Sequence, residues 1–587
     1  MKDFIKMVLA VICGVLIAGF VCLFLFFGFV GSFAASSKPM IPKSGVLKID
    51  LRSFAIGEQT KEANPFENVD PVSLLTGGSA SGRTIGIWDA VQAVNAAAED
   101  PAVKYIYLLP CGNRSNVTAL EELRVALENF RTNSGKPVIA YLESFTTQEY
   151  YIASVADKIY LSSSVGIDAQ LNGIGTQMLF FGDLLKQFGI NVQLIRHGKY
   201  KSAGETYTRG SSSPENREQY QRLVDSIWET LGDQIAEARG LTREQLDGLI
   251  EGLRLREPKD CLECGLVDEL VDPETLEDKL TAVAVADKYK DIKWISLTDY
   301  AAANQPGPSK IRQKIAVIYA DGEIIDGSAK ANIAGDRFAT LIDKVRADST
   351  VKAVVLRVNS PGGSVTASEK IKRALDRLQE DKPIIASYGS AAASGGYWIS
   401  NRCDKIFSDA TTLTGSIGVF GMVPDISKAA RDIVHVGIET VTSHKHGDMY
   451  SLTRPLDTAE YGYMLAGIES VYDRFTTIVS EGRGIPKETV DAIGQGRVWT
   501  GADGLGINLV DEIGTLEDAI RYAAVAADDG ELERWNIKSY PTPPSQMEQY
   551  MSLLSGKGDE ESILVSTFSK FTSPKTYARM DSDIRIR

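Results

Sequence analysis

The sequence predicts a tandem α/β protein, two related domains of alternating strands and helices set behind an N-terminal transmembrane helix. Three observations carry that prediction. Residues 7–30 hold 24 positions without one charge. Short β-branched runs alternate with amphipathic helical segments along most of the chain, the pattern of α/β layers. Four segments of the first half recur in the second half in the same order.

In chain order, residues 1–6 form a cytoplasmic N-terminus and Met7–Val30, MVLAVICGVLIAGFVCLFLFFGFV, the anchor. About 20 apolar residues cross a bilayer, whereas the apolar core of a cleaved signal peptide runs to only about 7–15. Gly31-Ser-Phe-Ala-Ala35 resembles a cleavage site, so a removed leader is the alternative, but the length of the run favours a retained anchor. Lys2 and Lys6 precede the span with only Asp3 opposing them, which places residues 31–587 on the non-cytoplasmic side. Lys38 and Lys43 beyond the span weaken that asymmetry.

The rest has the composition of folded domains, 44% hydrophobic and 24% charged. A length of 587 residues exceeds one ordinary core. The net charge of −14 argues against a nucleic-acid partner, which needs a basic face. Cys261-Leu-Glu-Cys264 has metal or redox spacing but lacks a second pair, and reads better as two small residues on a helix.

The repeated segments define the domains. Val103–Leu108 reads like Val351–Leu356, Lys136–Ala140 like Lys382–Ala386, Tyr151–Ser154 like Tyr397–Ser400, and Leu266–Leu270 like Leu509–Ile513. The offsets are 248, 246, 246 and 243, so only short insertions separate the copies. The first copy spans residues 44–270, a linker containing ANQPGPSK spans 271–312, and the second copy spans 313–520. Within the second, Val351–Val358 reads as a buried strand and SVTASEKIKRALDRLQ as a helix with Ser364 as N-cap. Residues 521–587 turn polar and read as a C-terminal extension.

Aligning the copies singles out chemistry. In ASYGSAAASGGYWIS (386–400) a strand ends in seven tiny residues before Tyr397 and Trp398. Where the second copy has Ser394, the first has Gln148. Asn359-Ser-Pro-Gly-Gly363 faces Cys111-Gly-Asn-Arg-Ser115, and Thr414-Gly-Ser416 faces Leu171-Asn-Gly173. Packing alone would ask the same residues of both copies, so the reactive-looking positions of the second point to a nucleophile at Ser394.

A serine needs a base. His197, His435, His444 and His446 sit in no recognisable triad, and Gly-x-Ser-x-Gly is absent around Ser394. His444-Lys-His446 lacks an obvious third metal ligand. Lysine is the other option: RHGKYKSAGETYTRG (196–210) carries Lys201, which the second copy does not match. Each half thus lacks what the other has. A lysine of ordinary pKa, about 10.4, is only about one part in a thousand neutral near pH 7.5, and overturning that ratio takes about 4 kcal/mol of desolvation or like-charge repulsion. Arg196, Lys199 and Arg209 would add to the repulsion if they face the amine. Gly363, between a strand and a helix, and Gly395, directly after the serine, are placed to offer backbone N–H groups as an oxyanion hole.

NSPGGSVTASE (359–369), AASGGYWIS (392–400), LTGSIGVFG (413–421) and GKYKSA (198–203) together resemble the signal peptide peptidase A (protease IV) family in its long tandem-repeat form. The resemblance implies a Clp-protease/crotonase-like fold in both copies and a Ser–Lys dyad with no cofactor or metal. Ser394 then matches the nucleophile, Lys201 the base, Ser416 the hydroxyl that orients the amine, and Gly363 and Gly395 the oxyanion donors. It further implies anchoring in a bacterial inner membrane, with lipid around the N-terminal helix and the catalytic part in the periplasm. The expected substrates are signal peptides and other apolar peptides, and the expected assembly is a homotetramer. Two departures stand out: Ala391 where relatives often carry methionine, and Gly204-Glu-Thr where Val-Glu-Pro is commoner. The competing readings are a crotonase-type acyl-CoA enzyme and a non-catalytic membrane scaffold.

Overall fold

The structure, a computed structural model, describes residues 14–15, 18–19, 39–61, 83–164, 169–305, 310–330, 332–528, 530–542 and 576–580. Among the described residues no helix is long and apolar enough to cross a membrane. The span expected over residues 7–30 lies outside them but for four positions.

The apolar runs of the first copy form strands β1 (Gly45–Asp50), β2 (Val103–Leu109), β3 (Val138–Leu142) and β4 (Lys158–Ser162), then β5 (Asn191–His197), β6 (Glu269–Val271) and β7 (Trp294–Ser296). Its main helices are α1 (Ile87–Glu99), α2 (Val117–Ser134), α3 (Thr147–Ala153), α4 (Pro214–Arg239) and α5 (Pro273–Ala284). Of these strands, all but β5 make one parallel sheet in the order β6-β4-β3-β2-β1-β7.

The second copy repeats the pattern with β8 (Lys314–Asp321), β9 (Val351–Ser360), β10 (Gly362–Ser364), β11 (Ile384–Ala393), β12 (Lys405–Ser408), β13 (Leu413–Gly415) and β14 (Val419–Asp425). Strands β15 (Val498–Thr500), β16 (Asn536–Tyr540) and β17 (Thr576–Arg579) follow, with helices α6 (Gly335–Ala347), α7 (Val365–Gln379), α8 (Gly395–Ser400), α9 (Thr458–Arg483) and α10 (Leu516–Ala527). Its sheet runs β15-β13-β11-β9-β8-β16, with β12 beside β11. Ser364 caps α7 by accepting from Ala367 N–H, as its sequence position predicts.

Strand alternation decides how the copies join. On β8 and β9 the residues Ile315, Val317, Ala353 and Val355 point one way and share a core with residues of the first copy, among them Ile49, Leu108, Leu120 and Leu123. Ile318, Val354, Leu356 and Val358 point the other way, onto Phe338 and Ile342 of α6 and Ile371 and Leu375 of α7. The two sheets therefore bury a continuous apolar layer between them, and each fully buried aliphatic side chain there contributes about 1.5–3 kcal/mol.

Two segments fold further than their composition suggests. Much of the expected linker, 271–312, is built into the first copy: α5 covers one face of its sheet through Leu276 and Leu280, and β7 pairs with β1. The boundary at 520 falls inside α10, whose Ala519, Ile520 and Ala523 enter the shared core, and β16 adds an edge strand to β8. In both places neighbouring strands and helices supply the apolar partner that a local reading of polar residues misses.

The contact that matters most for function is β5 against β14. They pair antiparallel from His197↔Val419 to Asn191↔Asp425. This register carries the Lys201 loop, which follows His197, over the turn holding Ser416, which precedes Val419.

Candidate active site

Ser394 sits where β11 turns into α8, with φ of +53° and ψ of −111°. A non-glycine residue at positive φ is strained, and persists only where its surroundings enforce it. Here Ser394 N–H donates to Gly415 O at 2.8 Å, and Ser394 O accepts from Trp398 N–H at 2.8 Å. The tiny residues before it have a packing reason too: Ala391–Ala393 lie in register with Leu413–Gly415, and Ala392 and Ala393 are fully buried. Bulkier side chains would push the two strands apart.

Lys201 comes from the other copy and is 1% exposed. Its Nζ lies 2.9 Å from Ser394 Oγ, 2.9 Å from Ser416 Oγ and 3.2 Å from Ser416 O. Ser394 and Ser416 are equally buried. Gly496 passes so close that a Cβ there would lie 2.5 Å from the Cβ of Lys201; only glycine lets the loop settle. Tyr200 N–H donates to Gln495 O at 2.9 Å beside it. The site is therefore assembled from segments nearly 200 positions apart, which no local signal announces.

The neighbouring cations have partners of their own in the loop. Arg196 Nη1 donates to the backbone O of Lys201 at 2.7 Å and to Glu205 Oε1 at 3.0 Å. Arg209 Nε donates to Ser211 O at 3.0 Å, and Lys199 lies over the Tyr200 ring. These groups hold the loop. Glu205, 1% exposed, is its hub, since its Oε2 also accepts from Ser213 N–H at 3.0 Å. The departure at Gly204 is accommodated under Leu194, where a Cβ would meet Leu194 Cδ1 at 2.4 Å. Sequence reasoning missed Glu205, although a carboxylate four residues past a candidate base is a visible signal.

Gly363 has φ of +155°, and a Cβ on it would lie 2.0 Å from Ile324 O. Gly395 opens α8, and the neighbouring Gly362 comes so close that its own Cβ would lie 2.6 Å from Gly395 N. The two expected oxyanion donors thus stand on backbone segments that touch each other beside Ser394.

The first copy has lost this arrangement in an informative way. Glu149, one place after Gln148, accepts from Gly112 N–H at 2.5 Å and Asn113 N–H at 3.2 Å through Oε1. Its Oε2 accepts from Thr146 N–H at 2.8 Å. A built-in carboxylate occupies backbone donors at positions aligned beside those where the second copy has its expected oxyanion donors.

The histidines lie apart from Ser394. His197 Nδ1 is 2.7 Å from Glu469 Oε2 and the ring stacks on Tyr472; His444 bonds to Ser443; His435 is exposed. His446 shares with Asp457 and Glu460 a cluster of potential metal donors. Arg454 already fills it, donating to Glu460 at 2.6 and 2.7 Å and to Asp448 at 2.7 and 2.9 Å. Cys261 is buried and Cys264 half-buried, both as free thiols.

A second cluster joins the copies. Arg357, 2% exposed, points from β9 toward the first copy and donates to Glu58 at 2.7 Å and Glu122 at 2.6 Å. It also donates to Ser387 Oγ and Tyr388 O, each at 2.9 Å. Glu121, beside Glu122, accepts from Thr411 N–H and Oγ1–H of the second copy. Burial pushes Glu121 up to about 7. It raises buried Asp409 well above the usual carboxylate range, with Glu122 and Glu121 adding to the effect.

The sequence profile of peptidase family S49 matches this chain twice, over residues 131–287, which include Lys201, and over 376–529, which include Ser394 and Ser416. The chain is 34% identical to Protease 4 of Haemophilus influenzae over 507 residues, 84% of this chain and 81% of that one. It is 35% identical to Protease 4 of Salmonella typhi over 481 residues, covering 80% and 76%. With the chloroplastic serine protease SPPA of Arabidopsis thaliana it shares 30% over 444 residues, covering 74% and 64%. Among solved structures, ClpP1 from Listeria monocytogenes aligns with 35% of this chain and 94% of its own at 14% identity, with a TM-score of 0.25. The chain belongs to peptidase family S49, carries that family's domain in tandem duplicate, and is a serine protease.

Proposed function

We propose that this protein is a membrane-anchored endopeptidase in which Ser394 attacks the substrate carbonyl and Lys201 takes its proton, and that it degrades cleaved signal peptides and other apolar peptides. One observation carries the dyad: a single buried amine stands 2.9 Å from both Ser394 Oγ and Ser416 Oγ. Burial disfavours the charged form of a lysine, so an amine in this position is suited to accept the Ser394 proton. Ser416 Oγ holds the amine in line. Negative charge that develops on the carbonyl oxygen meets the N–H groups of Gly363 and Gly395, and one such donor is worth roughly 10²–10³ in rate. Lys201 then returns the proton to the leaving nitrogen, and water completes hydrolysis of the ester. The acyl-CoA and scaffold readings give way to membership of a peptidase family.

The anchor rests on the charge-free run 7–30, and the periplasmic placement of the catalytic part on Lys2 and Lys6. Location in a bacterial inner membrane, the Clp-protease/crotonase-like description of each copy and assembly as a homotetramer rest on the resemblance of the quoted motifs. Turnover of a fluorogenic apolar peptide by the detergent-solubilised full chain tests the dyad. Ser394→Ala and Lys201→Ala should each lose roughly 10²–10⁴-fold or more while keeping wild-type circular dichroism. Near-normal turnover by Lys201→Ala at pH 7–8 would place the base elsewhere.

A further inference from the structure

Residues 494–497 form a turn that touches both halves of the dyad. Gln495 O accepts from Tyr200 N–H at 2.9 Å, and Gly496 lies against Lys201 itself. On its other side Gly496 N–H donates to Ile417 O at 2.8 Å, and Gly496 O accepts from Ser416 Oγ at 3.4 Å. Ser416 N–H donates to Arg497 O at 2.7 Å. Ser416 has φ of +49°, a value a serine keeps only where its surroundings enforce it. Gln495, at φ of +55°, needs the same enforcement.

Tyr472 of α9 supplies it. The side chain is 5% exposed and packs among Ile195 of β5 and Val419 and Val423 of β14, the strand pair whose register brings the dyad together. Its ring stacks on His197, four residues before Lys201, with centroids 3.7 Å apart. Its hydroxyl donates to Asp491 Oδ1 at 2.6 Å and accepts from Gln495 N–H at 3.3 Å. Gln495 Nε2–H reaches the same carboxylate oxygen at 2.7 Å. Burial, and after it the bond to Asp491, push the phenol above its ordinary pKa, so it keeps the proton it donates.

The first copy shows what this arrangement adds. Trp228 and Asp247, each 244 positions earlier, stand where Tyr472 and Asp491 do, and Trp228 Nε1–H donates to Asp247 Oδ1 at 2.9 Å. The bond from aromatic to aspartate is therefore common to both copies and belongs to the fold. An indole N–H can only donate, whereas a phenol can donate to the aspartate and accept from the turn as well. The copy whose turn grips the dyad is the copy with that acceptor.

We propose that Tyr472 is a positioning residue of this protease: its hydroxyl holds the 494–497 turn, and the turn fixes Lys201 Nζ against Ser394 Oγ and Ser416 Oγ. The inference rests on the Ser394–Lys201 dyad of the preceding section. Tyr472 touches neither substrate nor the reacting atoms. Without its hydroxyl the ring stays on His197 but the turn is released, so the amine and Ser416 lose their alignment and water reaches the amine.

Steady-state turnover of a fluorogenic apolar peptide by the detergent-solubilised full chain tests this, with urea unfolding of the same samples. Tyr472→Phe should lower kcat roughly 10–100-fold, the cost of a small misplacement, while KM stays within about twofold of wild type. The acid limb of its pH–rate profile should move to higher pH, because an amine that gains water is charged more readily. Asp491→Leu should act in the same way, and Asp491→Asn, which keeps an oxygen for the Tyr472 hydroxyl, should recover most of the loss. A hydroxyl that only supports the fold would lower the urea midpoint and leave kcat and the pH profile of the folded protein unchanged; that result overturns the proposal. Normal turnover by Tyr472→Phe beside inactive Ser394→Ala and Lys201→Ala removes the positioning role and leaves the proposed function standing. Near-normal turnover by Lys201→Ala removes the dyad and this inference with it.

Discussion

Replacing Arg357 by methionine should disable the enzyme from a distance, because the dyad is shared between copies that Arg357 helps to join. The guanidinium is 2% exposed and holds Glu58 and Glu122, which are 8% and 1% exposed. Methionine fills much of the volume but leaves those carboxylates without their cation. Breaking a buried ion pair by removing one partner costs about 3–5 kcal/mol, and about 1.4 kcal/mol is tenfold in an equilibrium constant. The folded population should therefore fall by roughly two to three and a half powers of ten relative to the unfolded one. Urea unfolding of the solubilised full chain measures the shift in midpoint, and peptide turnover measured at sub-denaturing urea should collapse earlier than in wild type. Neutralising the orphaned partners, as Arg357→Met with Glu58→Gln and Glu122→Gln, should recover most of the loss, since apolar replacements of whole buried ion clusters are often neutral. A loss below about 1 kcal/mol for Arg357→Met, in the range of exposed pairs, would refute the idea that this cluster clamps the copies.

Three other outcomes follow from the same geometry. Ser416→Ala removes a hydroxyl 2.9 Å from Lys201 Nζ and leaves Ser394 Oγ and Ser416 O in place. Once the amine has taken the Ser394 proton it is charged, and a hydrogen bond to a charged group is worth about 1.5–3 kcal/mol, so kcat should fall roughly 10–100-fold and the pH–rate profile should move, whereas a merely structural role would leave the profile where it is. Gly363→Ala should cut turnover at least tenfold with an unchanged far-ultraviolet spectrum, because its φ of +155° and the 2.0 Å approach to Ile324 O both oppose a Cβ; wild-type kinetics would deny this amide a part in the site. Glu121 is raised from 4.5 to about 7 by burial, so the folded protein holds its proton where the unfolded chain has released it. Its contribution to stability is complete below 4.5 and is lost as pH rises through about 7. Glu121→Gln should flatten that loss, seen as a smaller difference between urea midpoints at pH 5 and pH 8.

The sequence by itself determined what depends on near neighbours and on comparison of the copies. Val351–Val358 pairs as a strand because its apolar residues suit both faces of a buried sheet, and Ser364 caps α7 because a hydroxyl there reaches the amide three residues on. Ser394 and Lys201 stood out because each survives in one copy only, a signal that the duplication itself provides. Tertiary structure alone decided the rest. The register of β5 on β14 turns two distant motifs into one site. Arg196 near Lys201 spends its guanidinium on Glu205 and on the Lys201 backbone carbonyl, and nothing in the local pattern says which partners a long side chain takes. Arg357 was visible as the one charge between Val355 and Val358 in a strand otherwise apolar there, but its partners Glu58 and Glu122 lie 299 and 235 positions away. The polar linker and the C-terminal strand followed the same rule, since a short segment with few apolar residues folds where a sheet edge offers it unpaired N–H and C=O groups. Periodicity and turn chemistry act over a handful of residues and can be read from them; the pairing of buried charges and free strand edges is settled only when distant segments meet and each polar group must find a partner out of water.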